Sequence, residues 1–313
     1  MAGIDIGGTK TCGLLYSPQR GVLISRTIAS WRLMSPDDAA RAVDRVVHGL
    51  LDDAGLSASQ LLAVGIGLPG LISPERTFLD SIILPTWKDV DFGTVATAVL
   101  GVPTLVDNDA TMAALGHYYS TPEGQRPGTL LCFTLGTGVG GSILMDGVPM
   151  RGPDGTAGQL GHIIVKPAGD TCECGLHGCV NAYASGTAIT RRYNILRRSA
   201  EPAIDGREVA AAMLRGEPQA VKVFAEAESA IAIAIRSLIN ILNPDEIALG
   251  GGVAQLGMPF LTRIQQRIGS AGFSQPTQRA RLTQVAHGTL AGAYGSALAS
   301  LQVHLAGQQG AAV

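Results

Sequence analysis

The sequence predicts an α/β protein built from two related lobes. Three observations point there. A strand–glycine turn–strand unit occurs twice, as Gly3-Ile-Asp-Ile-Gly-Gly-Thr-Lys-Thr11 and as Phe133-Thr-Leu-Gly-Thr-Gly-Val-Gly-Gly141. Short apolar runs are interspersed with segments of helical period, as in helices packed on sheets. The chain has 313 residues, whereas single domains usually run about 100–200.

The elements follow in order. Residues 3–6, 11–16 and 22–29 read as strands separated by Gly7-Gly8 and Ser17-Pro18, a β-meander. Residues 36–54 are helical: Ala39, Val43, Val46, Val47 and Leu50 share a face, and Ser35 and Pro36 suit the cap and first turn. A buried strand is expected at 62–67, a helix at 91–100 and a strand at 103–106. That strand runs into Asp107-Asn108-Asp109 and a helix to about residue 119. The pattern then restarts with strands at 129–135 and 142–145 around the glycine loop 136–141. The second half is more helical. Residues 220–242 carry Val223, Phe224, Ala227, Ala230, Ile231, Ala234, Ile235, Leu238 and Ile239 at i, i+3, i+4 spacing. A strand at 247–249 ends in Gly250-Gly251-Gly252, and a small-residue helix at 290–301 closes the chain.

Composition narrows the function classes. Hydrophobic residues make up 46% and charged residues 15%, enough apolar material to exclude a disordered chain. Net charge is −2, and the one basic cluster (Arg191, Arg192, Arg197 and Arg198) reads as a solvated helix face rather than a nucleic-acid surface. The N-terminus opens directly on a strand, with no basic and apolar leader, and no run of about 18 apolar residues lacks charge. A cytoplasmic protein is the expectation. Three of the five cysteines fall within eight residues, the spacing of a metal site rather than of a disulfide framework.

Gly136-x-Gly138-x-x-Gly141 meets the dinucleotide-binding pattern literally, but that motif needs a helix after the loop and an acid about 20 residues on. Here a strand follows, and no Gly-Lys-Ser/Thr P-loop occurs. What remains is a pair of glycine hairpins whose N–H groups can form an anion nest, with a third glycine cluster at 250–252. Thr9, Lys10 and Thr137 add donors, and Asp5 is placed to hold Mg2+ through water. The predicted phosphate-binding set is Asp5, Gly7, Gly8, Thr9, Lys10, Gly136, Thr137, Gly138, Gly251 and Gly252. Any one loop alone reads as a plain turn.

These residues resemble a known superfamily. Asp5-Ile-Gly-Gly-Thr-Lys10, Asn108-Asp109-Ala, Leu135-Gly-Thr-Gly-Val-Gly-Gly141 and Ile247-Ala-Leu-Gly-Gly-Gly252 are similar to the phosphate-1, connect-1, phosphate-2 and adenosine motifs of the sugar kinase/actin/Hsp70 superfamily. Gly158-Gln-Leu-Gly-His162 with Cys172-Glu-Cys-Gly-Leu-His-Gly-Cys179 resembles the ROK family of repressors, open reading frames and kinases, over nearly the whole chain. The resemblance implies a two-lobed actin-like ATPase (ribonuclease H-like) fold with a sugar cleft between lobes. The expected lobes are residues 1–112, with a helix near 290–303 packed back on them, and 113–289. It also implies ATP with Mg2+, a sugar substrate and a homodimer or homotetramer. ROK repressors carry an added N-terminal DNA-binding domain. With the first motif starting at residue 3, a kinase with no nucleic-acid partner is expected.

A sugar hydroxyl attacking a γ-phosphate needs a carboxylate within reach to take its proton. Asp109, at a strand–helix junction, is the expected base. The competing reading is a helix cap, which Asp107 could also supply. The resemblance gives sugar contacts to Asn108, Gly70, Gln159, His162 and Asn181. The family has glutamate at the positions of Gln159 and Asn181. Both swaps remove a charge and keep an amide, which points to a substrate altered near C1 or C2: a cyclitol, an amino sugar or an epimer. The stretch Ile83-Leu-Pro-Thr-Trp87 also departs from the family's Asn-Leu-Pro-Gly-Trp. Alternatives are an ordinary glucokinase, a non-catalytic sugar sensor and an actin- or Hsp70-like ATPase.

His162, Cys172, Cys174 and Cys179 form a Cys3His set for structural tetrahedral Zn2+, with Gly175 and Gly178 permitting the tight loop. His177 and Glu173 are decoys, and Cys12 and Cys132 read as core.

Overall fold

The computed structural model describes residues 1–30, 34–197, 205–269 and 279–308; Arg198 of the basic cluster lies outside them. The chain divides into two compact units. Met1–Arg126, Ser142–Gly158 and the stretch from Val285 form one; Pro127–Gly141 and Gln159–Gln284 form the other.

The first unit opens with the expected meander, β1 (Ala2–Ile6), β2 (Lys10–Ser17) and β3 (Gly21–Ala29), followed by α1 (Pro36–Ala54). The Ser35 side chain accepts from the Asp38 N–H, and Gly55 ends α1 in the left-handed region at φ 66°. Then come β4 (Val64–Leu68), a small hairpin of β5 (Leu71–Ile72) and β6 (Phe78–Asp80), α2 (Phe92–Leu100), β7 (Thr104–Asn108) and α3 (Asp109–Ser120). A boundary at residue 112 would fall inside α3, one continuous helix that belongs wholly to the first unit. β1 and β4 are buried along most of their length, which suits their apolar and glycine-rich sequences. Trp87 packs between Phe78 and Phe92 and donates from Nε1 to the Met34 carbonyl at 2.8 Å.

β8 (Thr129–Leu135), β9 (Val139–Met145) and β10 (Val148–Pro149) follow. The second unit also holds α4 (Asn181–Ala184), α5 (Gly186–Arg197), α6 (Gly206–Leu214), α7 (Pro218–Leu242), β11 (Glu246–Gly250), α8 (Gly251–Ala254), α9 (Met258–Ile268) and β12 (Arg281–Gln284). All nine apolar positions of α7 named from spacing are buried. Arg192 on α5 does not face solvent as expected. It pairs with Asp170 and Glu226 and lies over the Tyr183 ring, 4.8 Å from its centroid.

The strand orders are β3-β2-β1-β4-β7 and β10-β9-β8-β11-β12. Counted from its own first strand, each sheet has the order third, second, first, fourth, fifth. In both, parallel strands continue from the first strand: β1–β4–β7 and β8–β11–β12. The weak repeat of one glycine hairpin is therefore the start of a duplicated topology.

The closing helix, α10 (Ala291–Gln308), returns to the first unit. It lies against β1, β4 and α3 at backbone distance. A Cβ added to Gly65 would sit 1.9 Å from the Ser296 carbonyl oxygen, and one on Gly295 would sit 1.7 Å from that of Met112.

Candidate active site

Asp5, Gly67 and Asp107 occupy one row across β1, β4 and β7. Gly67 is closely packed there: a Cβ would lie 3.2 Å from the Asp109 Cα and 3.5 Å from Asp5 Oδ1. Asp5 and Asp109 thus flank the same glycine. Burial pushes the Asp109 carboxyl up to about 6, against the N–H of Ala110, which donates to its Oδ1. Burial, and secondarily the charge of Asp109, pushes Asp5 up to about 8. Two carboxylates held in this way gain from a divalent cation nearby, so the donor set fits Mg2+ at Asp5.

The cap of α3 is neither aspartate. Asn108 Oδ1 accepts from the Thr111 N–H at 3.0 Å, while Asn108 Nδ2 donates to the Gly70 carbonyl at 3.0 Å. Asp109 is the first helical residue, and its carboxylate is not spent on the cap. Asp107 is buried and held by the guanidinium groups of Arg76 and Arg151. Nothing in the motif marks that pair of arginines, which come from loops 31 and 44 residues away in sequence.

Gly7 to Lys10 form the β1–β2 turn, closed by the Gly7 N–H on the Lys10 carbonyl at 2.9 Å; Thr9 and Lys10 are exposed. In the second unit, the Gly136 N–H donates to the Gly138 carbonyl at 2.9 Å, and β9 then starts at Val139. No helix opens after this loop, so the dinucleotide motif is absent in structure. The loop rests on the start of α5: the Gly186 N–H donates to the Gly136 carbonyl and Thr187 Oγ1 to that of Thr137, each at 2.8 Å. At the third cluster Gly251 has φ 83°, and a Cβ would lie 2.5 Å from the Leu135 carbonyl oxygen. Only glycine fits there. Gly252 opens on empty space.

His162, Cys172, Cys174 and Cys179 present their ligand atoms within 4.8 Å of one another. The Cys174 and Cys179 sulfurs are 3.8 Å apart, and Cys172 Sγ is 3.7 Å from His162 Nδ1. Zinc–sulfur bonds of about 2.3 Å imply tetrahedral edges of about 3.8 Å, so the donor set fits Zn2+. Gly175 and Gly178 have φ of 87° and 77°, as the tight loop requires. Burial lowers the pKa of His162, favouring the neutral ring a metal needs. His177 is turned away, with Nδ1 3.2 Å from the Gly169 carbonyl oxygen.

Gln159 is exposed just before the turn Leu160–His162. Asn181 differs from the expectation of an amide presented to a sugar. It is buried; its Oδ1 accepts from the Val139 N–H at 2.7 Å and its Nδ2 donates to Cys172 Sγ at 3.5 Å.

Known proteins are similar to this chain. The ROK family model aligns with residues 1–302. A glucokinase of Halalkalibacterium halodurans is 31% identical over 281 residues, covering 84% of this chain and 83% of the relative. A kanosamine kinase of Amycolatopsis mediterranei is 31% identical over 260 residues, covering 82% and 81%. The solved structure of a ROK family glucokinase from Streptomyces griseus, in complex with glucose and AMPPNP, superposes with a TM-score of 0.85 at 30% identity, covering 96% of this chain and 99% of that one. The duplicated sheets are those of the two-lobed actin-like fold that the motifs imply, and the chain belongs to the ROK family.

Proposed function

We propose that this ATP-dependent sugar kinase phosphorylates the primary hydroxyl of a hexose-like substrate altered near C1 or C2, an amino sugar or a cyclitol rather than glucose. Asp109 takes the hydroxyl proton as the oxygen bonds to the γ-phosphorus and the bond to the ADP oxygen breaks. Asn108 orients that hydroxyl. The glycine loops and Lys10 hold the phosphates, and Mg2+ near Asp5 neutralises their charge. Zn2+ at His162, Cys172, Cys174 and Cys179 shapes the loop that carries Gln159 and His162.

The observation that carries the substrate reading is the neutral pair at positions 159 and 181, with the Asn181 amide already committed to Val139 and Cys172. Neither position offers a charged acceptor, and hydrogen bonds to a carboxylate are roughly twice as strong as neutral ones. Gln159 can donate to a carbonyl or accept from an amine. The likeness to a kanosamine kinase, as close by identity as that to a glucokinase, supports an amino sugar.

The test compares kcat/KM for glucose, amino sugars and cyclitols in the wild type and in Gln159→Glu. Glucose is expected to rank below an amino sugar or cyclitol, and Gln159→Glu to raise glucose relative to them by about tenfold. Glucose ranking first in the wild type would discard the reading.

A further inference from the structure

We infer that Asn181 is a positioning residue that couples the Cys3His centre to the glycine loop of β8–β9. The inference rests on the reading of that loop as a phosphate site. Its basis is one amide with two engagements on opposite sides: Nδ2 donates to the Cys172 sulfur at 3.5 Å, and Oδ1 accepts from the Val139 N–H at 2.7 Å. The orientation is chemically unique. Turned over, the amide would set N–H against N–H at Val139 and offer the sulfur no donor. The residue is buried, so water cannot replace either partner.

A second contact bears on the same residue, at its carbonyl. Gly161, next to the ligand His162, approaches so closely that a Cβ there would lie 1.9 Å from the Val139 carbonyl oxygen. Both segments that bring ligands to the metal centre therefore bear on the first residue of β9. The loop's far end is held by the same stretch of chain, through Gly186 and Thr187. A Cβ on Gly138 would come within 3.3 Å of Asn181 Oδ1, so the loop approaches the amide itself.

The donor side has chemical consequences. An N–H aimed at a metal-bound thiolate withdraws charge from the sulfur, which tunes the metal–sulfur bond and orients the ligand. Aspartate would keep the acceptor for Val139 and lose the donor, setting a carboxylate against a thiolate. Leucine would lose both. The two substitutions separate the two roles.

The test measures AMPPNP affinity with Mg2+ by calorimetry, and the thiolate-to-metal absorption of protein loaded with Co2+. Asn181→Leu is expected to weaken AMPPNP about tenfold and to shift the cobalt–thiolate band. Asn181→Asp is expected to shift the band and to hold AMPPNP affinity within about threefold. Unchanged AMPPNP affinity in a folded Asn181→Leu overturns the inference, and Thr137→Ala then shows why. If Thr137→Ala weakens AMPPNP, the loop binds nucleotide without help from Asn181. If it does not, the loop is not the nucleotide site. Where Asn181→Leu fails to fold, Asn181→Asp decides: an unshifted cobalt band overturns the inference, and a shifted band with AMPPNP affinity kept supports it.

Discussion

Asp109 illustrates how a carboxylate is kept available for chemistry. Its neighbour Asn108 takes the helix cap, and Asp107 is locked between two arginines. That leaves Asp109, beside Asp5, as the acid of Asp107-Asn108-Asp109 free to take a proton. Asp109→Asn preserves shape and the contact with Ala110, and is expected to lower kcat by about 10²-fold or more with little change in KM. Turnover within a few-fold of wild type would remove Asp109 from the role. The raised pKa adds a pH signature. A base works only when deprotonated, so kcat/KM is expected to fall as pH drops through about 6. A profile flat down to about pH 5 would contradict the assignment.

At the scale of elements, α10 is held by the absence of side chains. Gly3, Gly65, Gly116 and Gly295 allow its backbone to touch β1, β4 and α3. At Gly65 the added methyl would meet the Ser296 backbone, which cannot swing aside as a flexible side chain would. Gly65→Ala is therefore expected to cost about 3 kcal/mol or more, at the top of the usual range for overpacking, because helix and sheet must part. Denaturant unfolding of the variant measures this; a loss below about 1 kcal/mol would show that the helix can shift freely. The cysteine loop is a different case, a stretch that buries Cys172 and Cys179 against Ala182, Tyr183 and Ala230 and brings four candidate metal ligands together. One Zn2+ per chain is expected, and Cys174→Ser should lower both the metal content and the melting temperature. Elemental analysis of purified protein without zinc, or a Cys174→Ser variant with wild-type melting, would remove the metal from the account.

For the whole molecule, the duplicated sheet order places a glycine hairpin at the start of each sheet, at β1–β2 and at β8–β9. The same topology serves ATPases that do mechanical work, so fold alone does not decide what accepts the phosphoryl group. The likeness to sugar kinases with a hydroxyl acceptor does. ADP release is accordingly expected to depend strictly on an added sugar or cyclitol. Steady ATP hydrolysis in water alone, at the rate seen with substrate, would favour the ATPase alternative. Among the described residues no helix is long and apolar enough to cross a membrane.

Local patterns are legible in the sequence by itself. The Ser35 cap and the apolar face of α1, the nine buried positions of α7, the strand after the second glycine loop and the four metal-ligand candidates all follow from spacing within one segment. Helical period and metal-ligand spacing are properties of neighbouring residues, so a linear reading captures them. The family likeness is equally open, because its motifs are short and ordered along the chain. Register and packing decide the rest. The sequence offers Asp107 and Asp109 as caps with equal right, yet Asn108 takes the cap, while Arg76 and Arg151 engage Asp107. Arg192 reads as a solvated charge along the chain, yet Asp170 and Glu226 meet it from distant segments. Asn181 reads as a substrate contact, yet the approach of Val139, 42 residues earlier, turns its amide inward. Each of these outcomes depends on which atoms a polar group meets across the fold, and a buried polar group takes the partners that tertiary packing brings to it.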